Sequence, residues 1–371
     1  MRNNLLLFCL FFSVAGLSKV TAQNLFSGFE NLFTPVRNYV VYRVDKEIVV
    51  DGKGNENSWK LIAWSEEFVD IEGPIKPVPK YKTRVKMLWD DNYLYILAEL
   101  EEPHVWSYYE KHDLIVFEEN DFEVFIDPDN DTHNYFEIEI NARNTIFDLF
   151  MAKPYRNGGV PLITWDTPGL KSAVFVNGTI NNPTDTDKNW TVEMAIPFSA
   201  LRLGVQTQTP KNNDLWRIDF SRVQWQTEIV EGVYKRKKDA VSGRIIPEDN
   251  WVWSATGLIN MHFPERWGML QFSTNPADGE KVNFKYPEIE ELKKYLWLVY
   301  YKQKKYQGEK GKYATTLSEL GIPETLKTGS AENSELKLIA TEHQFVAELL
   351  STNGIKLTIN NDGLIHKNNL K

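Results

Sequence analysis

Apolar and polar residues swap along Tyr93-Leu94-Tyr95-Ile96-Leu97-Ala98-Glu99 and again along Tyr135-Phe136-Glu137-Ile138-Glu139-Ile140-Asn141. A period of two is the mark of a strand with one face buried. Further β-branched and aromatic runs extend from Tyr39 to Tyr42 at one end to Trp267 to Phe272 at the other. Asp-Asp-Asn at 90–92, Asp-Pro-Asp-Asn-Asp at 127–131 and Asn-Pro-Thr-Asp at 182–185 supply turn chemistry between them. This pattern predicts an antiparallel β-sandwich, immunoglobulin-like or jelly-roll-like, over residues 37–274.

The pattern changes near residue 275. Pro287 is followed by Glu288, Glu290 and Glu291, then by Ile289, Leu292, Leu296 and Val299 at helical spacing, with Lys302, Lys304 and Lys305 near the end. This predicts a helix over 287–306. Leu336–Ala340, Phe345–Leu350 and Ile355–Ile359 then read as short strands, with Asn353-Gly354 and Asp362-Gly363 turns. Residues 275–371 are thus expected to form a small α+β unit. At the other end, Arg2, the apolar run Leu5–Leu17 and Val20-Thr21-Ala22 read as an export signal over 1–22. Residues 23–36, aperiodic with scattered Phe, read as a linker or strap.

Composition narrows the function. The 371 residues include 42% hydrophobic and 25% charged side chains, enough apolar material for a sizeable core. A net charge of −9 repels a phosphate backbone, so nucleic acid is not an expected partner. No later stretch approaches a membrane span, and the expected location is periplasmic or extracellular. The one cysteine, Cys9, lies within the export signal, so the mature chain is expected to use no disulfide, Cys-ligated metal or cysteine nucleophile. Twelve Trp within 13% aromatics leave rings to spare for recognition.

Catalytic motifs are sparse. The six His occur in no metal-binding spacing, and G-x-S-x-G is absent. Paired acids occur at Glu118/Glu119 and Asp121/Glu123; a glycosidase needs two carboxyls set face to face, which sequence proximity does not give. Asp127, Asp129 and Asp131 place carboxylates at alternate turn positions, as calcium ligands are placed, although the loop lacks the Gly and bidentate Glu of an EF-hand. Glu137, Glu139 and Asn141 share one strand face. That face could meet ligand hydroxyls or simply solvent.

Ile48-Val49-Val50-Asp51-Gly52 with Trp59, L-W-D-D-N-Y-L-Y (88–95), D-F-E-V-F-I-D-P (121–128), F-E-I-E-I-N (136–141), W-T-V-E-M-A-I-P-F (190–198) and P-E-R-W-G (264–268) occur in order. Together they resemble family 9 carbohydrate-binding modules. The block from Asn134 through Gly159 is similar to an exported Bacteroidetes-type subgroup, and G-K-Y-A-T-T-L-S-E-L-G (311–321) loosely resembles pilin-like C-terminal units. The resemblance implies a sandwich that binds sugars without hydrolysing them, at times with structural calcium. It maps a tryptophan clamp onto Phe117 and Met261, which are smaller or non-aromatic, and a ligand-binding arginine onto Glu139. Sugar contacts would then come from Phe117, Glu118, Asp121, Glu123, Glu137, Glu139 and Asn141. Trp106 could add a platform, and Arg156 could clamp either a loop or an acidic ligand.

The expected function is therefore non-catalytic binding of poly- or oligosaccharide in support of polysaccharide catabolism, with an envelope protein as the tail's partner. Three alternatives stand beside it. One is a haem-binding electron-transfer sandwich, with Met87, Met151, Met261, His133 and His262 as available ligands. The others are an envelope interaction protein that has lost its sugar, and a glycoside hydrolase using Glu123 and Glu139.

Overall fold

Ten strands with alternating or fully apolar patterns pair into one continuous hydrogen-bonded sheet in the computed structural model, which describes residues 25–202, 209–328 and 331–368. The export-signal reading, Cys9 included, lies outside the described residues. In chain order the ten strands are β1 (Asn38–Arg43), β2 (Thr83–Trp89), β3 (Tyr93–Glu101), β4 (Asp121–Asp127) and β5 (Tyr135–Asn141). They continue as β6 (Ile146–Met151), β7 (Lys171–Asn177), β8 (Asn189–Pro197), β9 (Leu215–Gln224) and β10 (Gly268–Pro276). Their spatial order is β6-β5-β4-β9-β10-β1-β2-β3-β8-β7, with short strands added at the β6 edge and beside β9.

The sheet folds over on itself. Val124, Ile138 and Phe220 from one half meet Met87, Ile96 and Met194 from the other in a single apolar core. Trp89, Trp190, Trp216 and Trp253 are all buried there. The predicted sandwich is present and mainly antiparallel, with one departure: β1 runs parallel to both β10 and β2. That strand joins the two halves, and the hydrophobic pattern carries no information on strand direction.

Alternation divides β4, β5 and β9 into two faces. Phe122, Val124, Ile126, Phe136, Ile138, Ile140, Ile218 and Phe220 enter the core. Asp121, Glu123, Glu137, Glu139, Asn141, Asp219 and Ser221 occupy the other face, and every one of them is buried. Loops and the strand Asp249–Val252 cover this polar face instead of leaving it in water.

A second core forms around the helix Glu288–Lys310, which packs Leu292, Leu296 and Val299 against Phe345, Leu349, Leu357 and Ile359. Three acids in its first turn and a left-handed Gly311 at its end explain its limits. A five-stranded antiparallel sheet from Thr325 to Asn368 completes the unit. Leu25, Phe26, Phe29, Leu32 and Phe33 also pack on this second core. Phe29 stacks on Tyr301 at 6.2 Å. Arg217 of β9 pairs with Glu290 of the helix, and Arg156, paired with Glu265, also donates to the Tyr300 hydroxyl of the helix; both ion pairs are enclosed.

Candidate binding site

The covered polar face floors a cavity of about 550 Å³. Neighbouring strands set its acids in register. Glu123 of β4 lies directly opposite Glu139 of β5 on one side and Ser221 of β9 on the other. In the next row Asp121 stands between Asn141 and Val223. Glu123, Glu137, Glu139 and Glu248 line the cavity, and no Lys or Arg is among the described lining residues.

Four buried carboxyls without a counter-ion hold on to their protons. Burial pushes Glu123 up to about 7. Burial and then the Glu123 charge push Glu137 up to about 8. Asp121 and Glu139 lie well above the usual carboxylate range, again through burial first and Glu123 second. The Val223 amide opposes this at Asp121 but does not reach hydrogen-bonding geometry: both Asp121 oxygens lack a partner. Glu137 Oε2 and Glu139 Oε2 are likewise unpaired. A buried acceptor left without a donor costs about 1–3 kcal/mol.

Rings sit at the mouth. Phe117 is 41% and Tyr155 42% exposed, and both line the cavity. Phe117 is held from behind by the Trp225 indole, which donates to its carbonyl at 2.8 Å. Tyr155 meets His262 edge-on at 4.4 Å. His262 shares a 2.8 Å hydrogen bond with the Tyr135 hydroxyl, and burial holds its pKa down to about 4, so it stays neutral beside Glu137. Met261, the other position to which the resemblance assigns a clamp, also lines the cavity.

The remaining candidates lie elsewhere. Asn141 is spent on its own surroundings: it donates to Tyr109 O and Glu119 and accepts from the amides of Arg143 and Thr145. Glu118 accepts from the Tyr109 hydroxyl outside the cavity lining. Trp106 is buried with Val223, Trp225 and Tyr234. Arg156 clamps a loop, donating to Glu265, to His262 O and to the Tyr300 hydroxyl. Of the residues available to a haem, Met87 lies in the main core and Met151 in a smaller one, and His133 sits near Asp362; only Met261 and His262 reach the cavity.

The alternate turn positions of Asp127, Asp129 and Asp131 make them the expected ligands of a structural calcium ion. Their oxygens do lie within 4.8 Å of one another, so the donor set fits an ion. An ion there would cross-link the turn. Yet Asp127 already accepts from the Asn130 and Thr132 amides and Asp131 from the His133 amide. None of their oxygens is both buried and unpaired.

Sequence reasoning missed Tyr155, Phe147, Glu248, Asn250, Ile259 and Asn260, all of which line the cavity. Tyr155 stands beside Arg156 in the Lys153–Gly159 block; the others give no signal, because strands and loops far apart in sequence bring them together.

Residues 50–231 match the family described as Carbohydrate family 9 binding domain-like. This segment is a family 9-like carbohydrate-binding domain. It supplies β2 to β9, and with them Phe117, Glu123, Glu137, Glu139 and Tyr155. The chain is 29% identical over 118 residues to Exoglucanase XynX of Acetivibrio thermocellus, and 28% identical over 135 residues to Endo-1,4-beta-xylanase A of Thermoanaerobacterium saccharolyticum. These alignments cover 32% and 36% of this chain and 9% of each relative, so the chain spans only a small part of the length of either. A solved structure of a putative carbohydrate-binding protein from Bacteroides uniformis matches with a TM-score of 0.47 at 15% identity, covering 64% of this chain and 100% of that one.

Proposed function

We propose that this protein binds a poly- or oligosaccharide, without cleaving it, in the cavity floored by β4 and β5. The observation that supports this most is the meeting, inside a family 9-like domain, of exposed rings at the mouth and carboxyls on the floor. A pyranose offers a C–H face to a ring and hydroxyls to oxygen acceptors. Carboxyls that are partly protonated near neutral pH both donate to and accept from hydroxyls. The cavity volume falls within the range of about 300–1,000 Å³ usual for small-ligand sites.

The role that fits is a binder assisting a polysaccharide-degrading system, exported through the segment 1–22. The tail would then be free to hold an envelope partner. Retention of the protein on gels containing β-glucan or xylan, followed by an oligosaccharide array, tests the binding. No retardation by any glycan would refute it.

A further inference from the structure

Asp121 does not line the cavity, although it belongs to the same cluster as two residues that do. One oxygen each of Asp121, Glu123 and Glu139 lies within 4.8 Å of the others. Calcium binds oxygen at about 2.3–2.6 Å, so oxygens on opposite sides of one ion stand about 4.6–5.2 Å apart. The cluster has the span of a single coordination sphere.

Three oxygens here are enclosed and unpaired, both of Asp121 and Oε2 of Glu139, and the Ser221 hydroxyl stands across from Glu123 and faces its carboxyl. The arginines nearby are committed elsewhere. Arg222 is paired with Glu102 on the opposite face of β9, Arg217 with Glu290, and Arg156 with Glu265. Three carboxyls with spare lone pairs and no protein cation form a socket for a positive charge. The amino group of a bulky ligand would have to come from the cavity, where Asp121 presents no surface. A bare ion can sit within the floor and touch all three. The donors are all hard oxygens with no His or Cys, which favours calcium over zinc or copper, and the flat strand geometry suits calcium better than octahedral magnesium.

We propose that Asp121, Glu123 and Glu139 hold a calcium ion in the cavity floor, with the Ser221 hydroxyl as a further oxygen, and that the ion turns its open positions toward the bound saccharide. Neighbouring hydroxyls of a sugar ring would complete its coordination. The second half of this inference rests on the carbohydrate reading above; the first half does not.

The full chain, stripped with EDTA, is titrated with calcium chloride alone by calorimetry and thermal denaturation. Its retention on cellotriose and xylotriose resins is measured in calcium and in EDTA. We expect a saturable site, and a rise in melting temperature of about 5 °C when calcium exceeds its binding midpoint about a hundredfold. Asp121→Asn and Glu139→Gln should each abolish that rise. Both should melt no lower than the calcium-free wild type, because each replaces a buried carboxyl that lacks a partner with a neutral amide of the same shape; a merely broken fold would melt lower. The double variant Asp129→Asn, Asp131→Asn should keep the site. Calcium binding that survives Asp121→Asn and Glu139→Gln, or that disappears in the double variant, overturns the ion site. Retention equal in calcium and EDTA overturns the sugar-facing role and leaves the carbohydrate reading intact. Calcium binding that depends on Asp121, with no sugar retained under any condition, upholds the ion and refutes the carbohydrate reading.

Discussion

Glu123 and Glu139 are direct cross-strand partners on a buried face, two acids opposed with no Lys or Arg in the described cavity lining between or above them. Like charges in that relationship are destabilising in an ordinary sheet. The protein tolerates the pair because protons or a cation can neutralise it, and either route leaves oxygen chemistry pointing into the cavity.

Phe117 should matter to binding and little to folding. With 41% of its surface exposed, Phe117→Ala is expected to lower stability by under about 1 kcal/mol. It should weaken glycan binding roughly threefold to tenfold, the worth of one ring stack. Phe117→Trp should strengthen binding. Affinity electrophoresis beside urea denaturation separates the two effects.

Asn141 should behave in the opposite way. Its side chain joins Tyr109 O and Glu119 to the amides of Arg143 and Thr145, so Asn141→Ala leaves buried polar groups unmatched. A loss of about 2–4 kcal/mol in urea denaturation is expected. At a temperature where the variant is folded, its glycan affinity should match that of the wild type.

Glu290 gives the protein an acid-sensitive joint. Arg217 and Lys293 hold its carboxyl down to about 2 despite burial, which alone would raise it. The folded-state value is depressed, so the unfolded chain binds the proton first. The stabilisation is therefore complete above the unfolded value near 4.5 and is lost as pH falls from there toward 2. Glu290→Ala, which strands Arg217 in a buried position, should cost about 3–5 kcal/mol at pH 7. The gap between wild type and variant, followed by chemical denaturation, should shrink below pH 4.5.

The segment before β1 should act as a brace for the helix. Phe26, Phe29 and Phe33 pack on the second core, with Phe29 and Phe33 against Tyr301. The double variant Phe29→Ala, Phe33→Ala is expected to destabilise that core by about 2–4 kcal/mol, less than full core truncations because both rings are partly exposed. Hydrogen exchange along Glu288–Lys310 should quicken, while β4 and β5 keep their protection.

Much was legible in the chain itself. Period two in Tyr135–Asn141 placed Phe136, Ile138 and Ile140 against Glu137, Glu139 and Asn141, because successive strand residues must point to opposite faces. The spacing of Leu292, Leu296 and Val299 marked a helix, and the ordered motifs from Asp51 to Gly268 marked the family. Alternation says which residues share a face, but not what lies over it. Whether Glu137 and Glu139 met water or a lid depended on loops carrying Phe117, Tyr155 and Ile259, which only the folded chain brings together. Arg156 was open to either partner until tertiary packing set Glu265 beside it. A local pattern records the preferences of neighbours along the backbone; burial of an acid, and hence its charge and its use, is set by residues distant in sequence.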